Sequence, residues 1–436
     1  MTAIARTRPT RLVIVVRADP VICGHSVEAR NLAEVALQRG FEEVRIVTWP
    51  IEKLEAAGLP LKPLDVVLPY SDGITVERPA PVGDYKVPDS RYLAGITGRL
   101  VELFTDGVPT VALSLYLSPH TVAVADAMRV AWATGLPVDV TTVAEAVGSD
   151  VTNIVRACVA EGRFGPAAHI LSSYLSQDHC VAVSEYTRDL IVESAAEVDE
   201  IHGTRFAEQC RDRIAISYPA IDSAPYLDLD PAEVARVAES RGLRPGGYVL
   251  FLSRLARAKG IDDLIDGFAR SAAAGAGQRL VIAGRGPEAS ELHAVAAASG
   301  VGHLIDFLDD VGDAEKPYLM AGCSAFVLPS KPRPEFVETF GIALAEKMLA
   351  GGGPIITCDT GGIAEAVGDH AIMVPAGDGP AIGRAIDDAL AVPARTQRAR
   401  AARARAYALQ FDRVNVFDRL FARVLPERLA DRVPVG

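Results

Sequence analysis

The sequence lacks paired cysteines, an excess of positive charge and any long apolar run, and each lack removes a class of protein. Its six cysteines (Cys23, Cys158, Cys180, Cys210, Cys323 and Cys358) are scattered, and none forms a C-x-x-C pair. That spacing argues against a structural zinc or a dithiol redox centre and for reduced, mostly buried thiols in a cytoplasmic protein. Lys and Arg number 44 against 56 Asp and Glu, a net charge of −12. An acidic chain is a poor partner for nucleic acid and has little overall attraction to anionic lipid. Residues 1–11 are basic, but the apolar run 12–16 behind them falls short of the roughly 7 to 15 residues of a signal peptide. No run approaches the ~18 apolar residues of a membrane span, so stable membrane insertion is not expected.

What the 436 residues do contain is a rhythm. Short β-branched runs recur at 12–16, 44–48, 110–116, 138–143, 180–184 and 213–217. A second series follows at 248–253, 280–283, 305–308, 325–329, 355–358 and 371–374. The runs are apolar almost throughout, as in strands buried on both faces of a parallel sheet, and the segments between them have helix-forming composition. Two such series predict an α/β chain of two doubly wound, Rossmann-like domains. The boundaries expected are 1–224 for the first domain, 225–246 for a linker and 247–410 for the second domain. An amphipathic helix in 411–436 carries Phe411, Val414, Phe417, Leu420, Phe421 and Val424 at i, i+3 or i+4 spacing and needs an apolar surface to cover. Five arginines (Arg395, Arg398, Arg400, Arg403 and Arg405) on an alanine-rich helix read as a solvated face.

Folds of this kind bind ligands at the carboxyl ends of their strands. Four stretches of the second half fall there. Glu338, Phe340, Gly341, Ile342 and Glu346 run from a strand end into a helix opening at about Gly341. A helix start presents free N–H groups to a phosphate, and glycine permits close approach. Glu338 can accept from hydroxyls or cap the helix. Glu346, among apolar neighbours, is either half-exposed or satisfied by a partner, since burying it alone is costly. Ser253, Arg254 and Lys259 follow another strand, and two cations five residues apart suit a diphosphate; ordinary surface charge is the alternative. Arg257 between them serves as a control. Gly284 and Gly286, then Gly361 and Gly362, form glycine turns after two further strands, each weak evidence alone.

In combination, the chain resembles the retaining glycosyltransferases of family 4, which have the GT-B architecture. Their E-x7-E motif is matched by Glu338 and Glu346, and their S/G-R-L-x(3,4)-K-G motif by Ser253, Arg254, Leu255, Lys259 and Gly260. Residues 181–188 (VAVSEYTR) resemble the family's late N-domain strand-to-helix signature. The resemblance implies two domains facing across a cleft, with the C-terminal helix crossing back to the N-domain. It implies catalytic Arg254 and Lys259 on the donor diphosphate, and Glu338 on hydroxyls of the sugar. Glu346 would bind the ribose. Ser253 belongs to the donor set, with backbone at Phe340, Gly341 and Ile342 meeting phosphate and sugar. Gly284 and Gly286 would lie near the base, with Gly24 facing the phosphates from the N-domain. No metal or cofactor is implied; a UDP- or GDP-type sugar is the co-substrate. The acidic pairs Asp262, Asp263 and Asp309, Asp310 read as loop and cap positions.

The departures from the family lie in the acceptor half. His25 stands where a second glycine is usual, residues 140–145 lack the usual histidine, and Pro219, Ala220, Ile221 and Asp222 replace N-G-V-D. His25, His120 and Glu145 are the acceptor-facing residues this reading selects. An unusual acceptor follows, expected to be small and polar, as in natural-product biosynthesis; a homodimer is among the assemblies allowed. The alternatives are a GT-B nucleotide-sugar epimerase, a phosphorylase and a non-catalytic sugar-nucleotide sensor; slow donor hydrolysis without acceptor would separate a transferase from a sensor.

Overall fold

The computed structural model describes residues 9–83, 88–334 and 336–425. The chain divides into two compact units, residues 1–221 with 413–436 and residues 222–412.

The first unit holds a seven-stranded parallel sheet in the order β3-β2-β1-β4-β5-β6-β7. The strands are β1 Arg11–Val15, β2 Glu43–Val47, β3 Ile74–Glu77, β4 Thr110–Leu115, β5 Val140–Ala146, β6 His179–Ala182 and β7 Ile214–Ile216. Strand β1 is central, pairing with β2 and β4, and all five of its residues are buried. Successive strand residues point to opposite faces. Leu12 and Ile14 therefore join a core with Leu32, Ala33 and Phe421, while Val13 and Val15 join one with Leu100, Phe104 and Ala127. Strand β3 has no counterpart among the expected runs. It is a four-residue edge strand with half of its residues polar, so continuous apolarity does not mark it.

The C-terminal helix Arg413–Val424 belongs to this unit. Val416, Phe417, Leu420, Phe421 and Val424 bury against the Leu12 face of the sheet. Phe417 stacks on Phe421 with ring centres 4.0 Å apart, Phe41 meets Phe421 edge-on at 5.6 Å, and Arg39 grips Asp418 through two hydrogen bonds of 2.7 and 2.6 Å. Phe411 was expected on that face. It ends the short turn Leu409–Phe411 instead and packs edge-on against Phe340 in the second unit. Residues 426–436 lie outside the described residues.

The second unit is built on a six-stranded parallel sheet in the order β10-β9-β8-β11-β12-β13. Its strands are β8 Tyr248–Leu252, β9 Arg279–Ala283, β10 Ile305–Leu308, β11 Ala325–Leu328, β12 Ile355–Cys358 and β13 Ala371–Val374. Residues 225–246, expected as a linker, are integrated into this unit. Their helix Pro231–Ser240 lies against the helix Lys316–Gly322, and Arg241 binds Glu315 and Asp310. Asp262 and Asp263 share Lys331, at 2.8 and 2.7 Å. On the helix Ala394–Ala408, Arg395, Arg398, Arg400 and Arg403 are exposed, whereas Arg405 donates to the carbonyls of Leu349 and Ala350.

Candidate functional site

Strands β8, β9, β11 and β12 are neighbours, so the four stretches singled out by sequence open along one edge of the second sheet. Direct contacts knit them together. Gly284 adopts φ 142°, and a Cβ there would stand 2.0 Å from the carbonyl oxygen of Ser253; one at Gly286 would stand 2.1 Å from that of Leu255. Only glycine lets the β9 loop close on the β8 loop in this way. The Gly362 amide donates to the Glu338 carbonyl at 2.9 Å, joining the β12 turn to the β11 loop.

Lys259, 7% exposed, forms an ion pair with Glu338, and both side chains are largely enclosed. The ammonium also lies 5.1 Å from the ring centre of Phe336, while the Arg254 guanidinium approaches the same ring at 5.8 Å. Phe336 thus sits against both cations, a contact that no spacing rule reveals because the ring is some 80 positions along the chain. Arg254 is exposed and has no carboxylate partner among the described residues. Arg257 is different: it pairs with Glu288 at 3.2 Å and Glu291 at 3.8 Å. The control cation is neutralised locally and the other two are held at the strand ends.

Gly341 takes φ 100° and caps the helix Ile342–Ala350, whose first turn has no acid and no side-chain cap. Its free N–H groups and dipole favour an anion. Phe340 is buried on Phe411 with ring centres 4.9 Å apart, fixing the turn from beneath. Glu346 is 8% exposed and satisfied rather than solvated. Lys316 donates to it at 2.7 Å, and the Tyr226 hydroxyl bonds to it as well; burial first, then that carboxylate, push the Tyr226 pKa up. Sequence reasoning missed Lys316 and Tyr226. Their link to Glu346 runs through tertiary contact across 30 and 120 positions, with no local pattern to betray it.

The first unit has its own polar edge at the ends of β1, β4 and β5. Arg17 follows β1, half-buried, and donates from Nη2 to His25 Nε2 at 2.9 Å. A guanidinium only donates, so His25 carries its proton on Nδ1. Burial, helped by Arg17, lowers the His25 pKa to about 3. Gly24 is exposed at the start of the helix Gly24–Gln38. His120 and Glu145 were expected to face an acceptor, but both are fully buried. His120 packs edge-on against Trp49 and Tyr116, at 5.0 and 5.9 Å, and burial holds its pKa well below the usual value. Glu145 lies against Glu28. Burial raises Glu28 to about 7, while burial and the charge of Glu28 raise Glu145 well above the carboxylate range, so the pair retains a proton.

Comparison with known proteins agrees with this architecture. Residues 242–407 match the family model described as Glycosyl transferases group 1. The chain is 29% identical over 197 residues to a GDP-mannose-dependent alpha-(1-6)-phosphatidylinositol monomannoside mannosyltransferase of Mycolicibacterium smegmatis, covering 44% of this chain and 51% of that protein. It is 31% identical over 140 residues to a 2-deoxystreptamine glucosyltransferase of Streptomyces kanamyceticus, covering 32% and 35%. The matches therefore span about half or less of these relatives. Among solved structures, Anabaena HepE in complex with UDP and glucose superposes with a TM-score of 0.68 at 18% identity, over 95% of this chain and 99% of that one. A glycosyltransferase from Rickettsia africae ESF-5 does so at 0.69 and 13%, over 97% and 100%. Identities this low speak for the fold alone. The chain has the two-domain GT-B fold, and its second unit carries a segment of the glycosyl transferases group 1 type.

Proposed function

We propose that the protein transfers a sugar, with retention of configuration, from a nucleoside diphosphate sugar of UDP or GDP type to a small polar acceptor. The observation that carries the reading is the Lys259–Glu338 pair beside Arg254, which has no carboxylate partner among the described residues, and the open helix start at Gly341. The second unit binds the donor and the first takes the acceptor. As the bond from sugar to phosphate breaks, charge grows on the departing diphosphate. Arg254, Lys259 and the amides at Gly341 and Ile342 stabilise that charge electrostatically, without a proton donor. Glu338 holds the Lys259 ammonium in place and accepts from a sugar hydroxyl with its remaining lone pairs, and Glu346 does the same for the ribose. Attack from the face that the leaving group vacates retains the configuration, the phosphate oxygen taking the acceptor proton.

A relative acting on 2-deoxystreptamine, a small polar molecule, supports the acceptor class and a natural-product role. A thermal-shift screen with UDP, GDP, ADP and dTDP identifies the base, because a ligand of the folded state raises its melting temperature. Donor hydrolysis in the absence of acceptor then tests the activity. No shift with any nucleotide and no hydrolysis of any nucleotide sugar would sink the reading.

A further inference from the structure

We propose that Lys316 and Tyr226 are positioning residues that aim the Glu346 carboxylate at the ribose of the donor and so set a preference for ribonucleotides over deoxyribonucleotides. The inference rests on the donor role given to Glu346 above and adds the two side chains that make that role selective.

Three elements meet at this carboxylate. Glu346 stands in the helix Ile342–Ala350, about 7 Å along the axis from the start at Gly341 by the rise of an α-helix. The helix Lys316–Gly322 lies against it, and the turn Ala224–Tyr226 lies against both. Lys316 Nζ donates to Glu346 Oε1 at 2.7 Å, and the Tyr226 hydroxyl donates to the same carboxylate. Tyr226 closes the triangle, since its ring centre lies 5.6 Å from the Lys316 ammonium. Tyr226 is 4% exposed, and the Lys316 and Glu346 side chains are 19% and 11% exposed. Two donors from two separate elements therefore fix the rotamer of Glu346 before any ligand arrives.

The place of Lys316 is not explained by its own helix. It is the first residue there, where the dipole disfavours a cation, and the first turn has no acid. The preceding Glu315 is taken by Arg241. The pairing with Glu346 accounts for the lysine instead. An ionised carboxylate accepts at about four lone-pair positions. Lys316 and Tyr226 occupy two and leave the others to a pair of vicinal hydroxyls, as on a ribose. A buried acceptor denied those hydroxyls is left unpaired, so a nucleotide without the diol is rejected. Lys316 also offsets the charge of Glu346, which would otherwise repel a diphosphate seated at the Gly341 end of the same helix.

Calorimetric titration of UDP and GDP into the full chain, each beside its 2′,3′-dideoxy counterpart, tests the proposal. Whichever ribonucleotide the wild-type chain binds is expected to bind about 100-fold more tightly than its dideoxy form, from two hydrogen bonds to a charged group. Lys316→Met and Tyr226→Phe are each expected to bring that ratio below about tenfold, whereas Arg257→Ala leaves it unchanged. A general loosening of the fold weakens both nucleotides alike. A ratio unchanged in either variant therefore overturns that residue's role even where affinity falls, and a wild-type ratio near one overturns the whole inference. Should Lys316→Met fail to fold, Tyr226→Phe, which removes a single oxygen and leaves the ring beside Lys316, decides by the same ratio. Nucleotide binding that ignores the diol sinks only this inference. No binding of UDP or GDP by the wild-type chain sinks the donor reading, and this inference with it.

Discussion

Lys259 is buried beside Glu338, and removing either partner strands the other's charge in a desolvated place. Under the proposed chemistry, Lys259→Ala or Glu338→Ala lowers kcat/KM by ~100-fold, a loss of ~3 kcal/mol of transition-state stabilisation. Steady-state kinetics check this, and near-wild-type values in both variants would refute the site. Arg257→Ala, whose guanidinium is occupied by Glu288 and Glu291, is expected to change kcat/KM less than twofold or so, as surface pairs contribute little. Gly284 tests the scaffold instead. A Cβ 2.0 Å from the Ser253 carbonyl forces the backbone to move, so Gly284→Ala costs on the order of 2 kcal/mol in urea denaturation and weakens nucleotide binding along with it. Arg254, Lys259, Glu338 and Glu346 could be selected from the sequence because strand-end position, charge spacing and the family motifs they resemble are all local. Phe336, Lys316 and Tyr226 were not, because they act through contacts distant in the chain.

At the scale of elements, the helix Arg413–Val424 shows how one amphipathic stripe fixes the course of the chain. Its apolar residues fit the Leu12 face of the first sheet, together with Phe41, although the second unit lies between them in sequence. Phe421→Ala removes a ring that touches both Phe41 and Phe417 and is expected to destabilise the first unit by ~3–5 kcal/mol, read from its denaturation midpoint. An unchanged midpoint would show that the helix only rests on the surface. Helical spacing made this stripe readable in advance. It also drew in Phe411, which is one turn too early and packs on Phe340. Strand β3 escaped notice for the opposite reason: an edge strand covered on one side needs no apolar run.

For the whole molecule, buried titrating groups of the first unit make stability depend on pH in two directions. Glu28 and Glu145 have raised folded pKa values, so the folded state holds protons that the unfolded chain releases. Their contribution is complete below their ordinary value of 4.5 and is lost as pH rises through about 7 for Glu28. His25 has a lowered value, so its contribution is complete above 6.5 and is lost as pH falls towards about 3. Glu145→Gln is expected to flatten the decline in melting temperature on the alkaline side and leave the acid side unchanged; scanning calorimetry across pH measures both limbs. A parallel decline in wild type and variant would show that the pair does not hold its proton.

By itself the sequence determined two parallel sheets, the strand ends that bear charge and an amphipathic helix near 411–424 that needs an apolar surface. Each of these follows from periodicity and composition along a few neighbouring residues. Tertiary structure alone decided which charges are satisfied. It paired Lys259 with Glu338 and Glu346 with Lys316, and it incorporated 225–246 into the second unit. It buried His120 and Glu145 beneath the polar edge and left Arg17 there without a carboxylate partner among the described residues. Burial and ion pairing depend on distance in space, which a local pattern of residues does not encode.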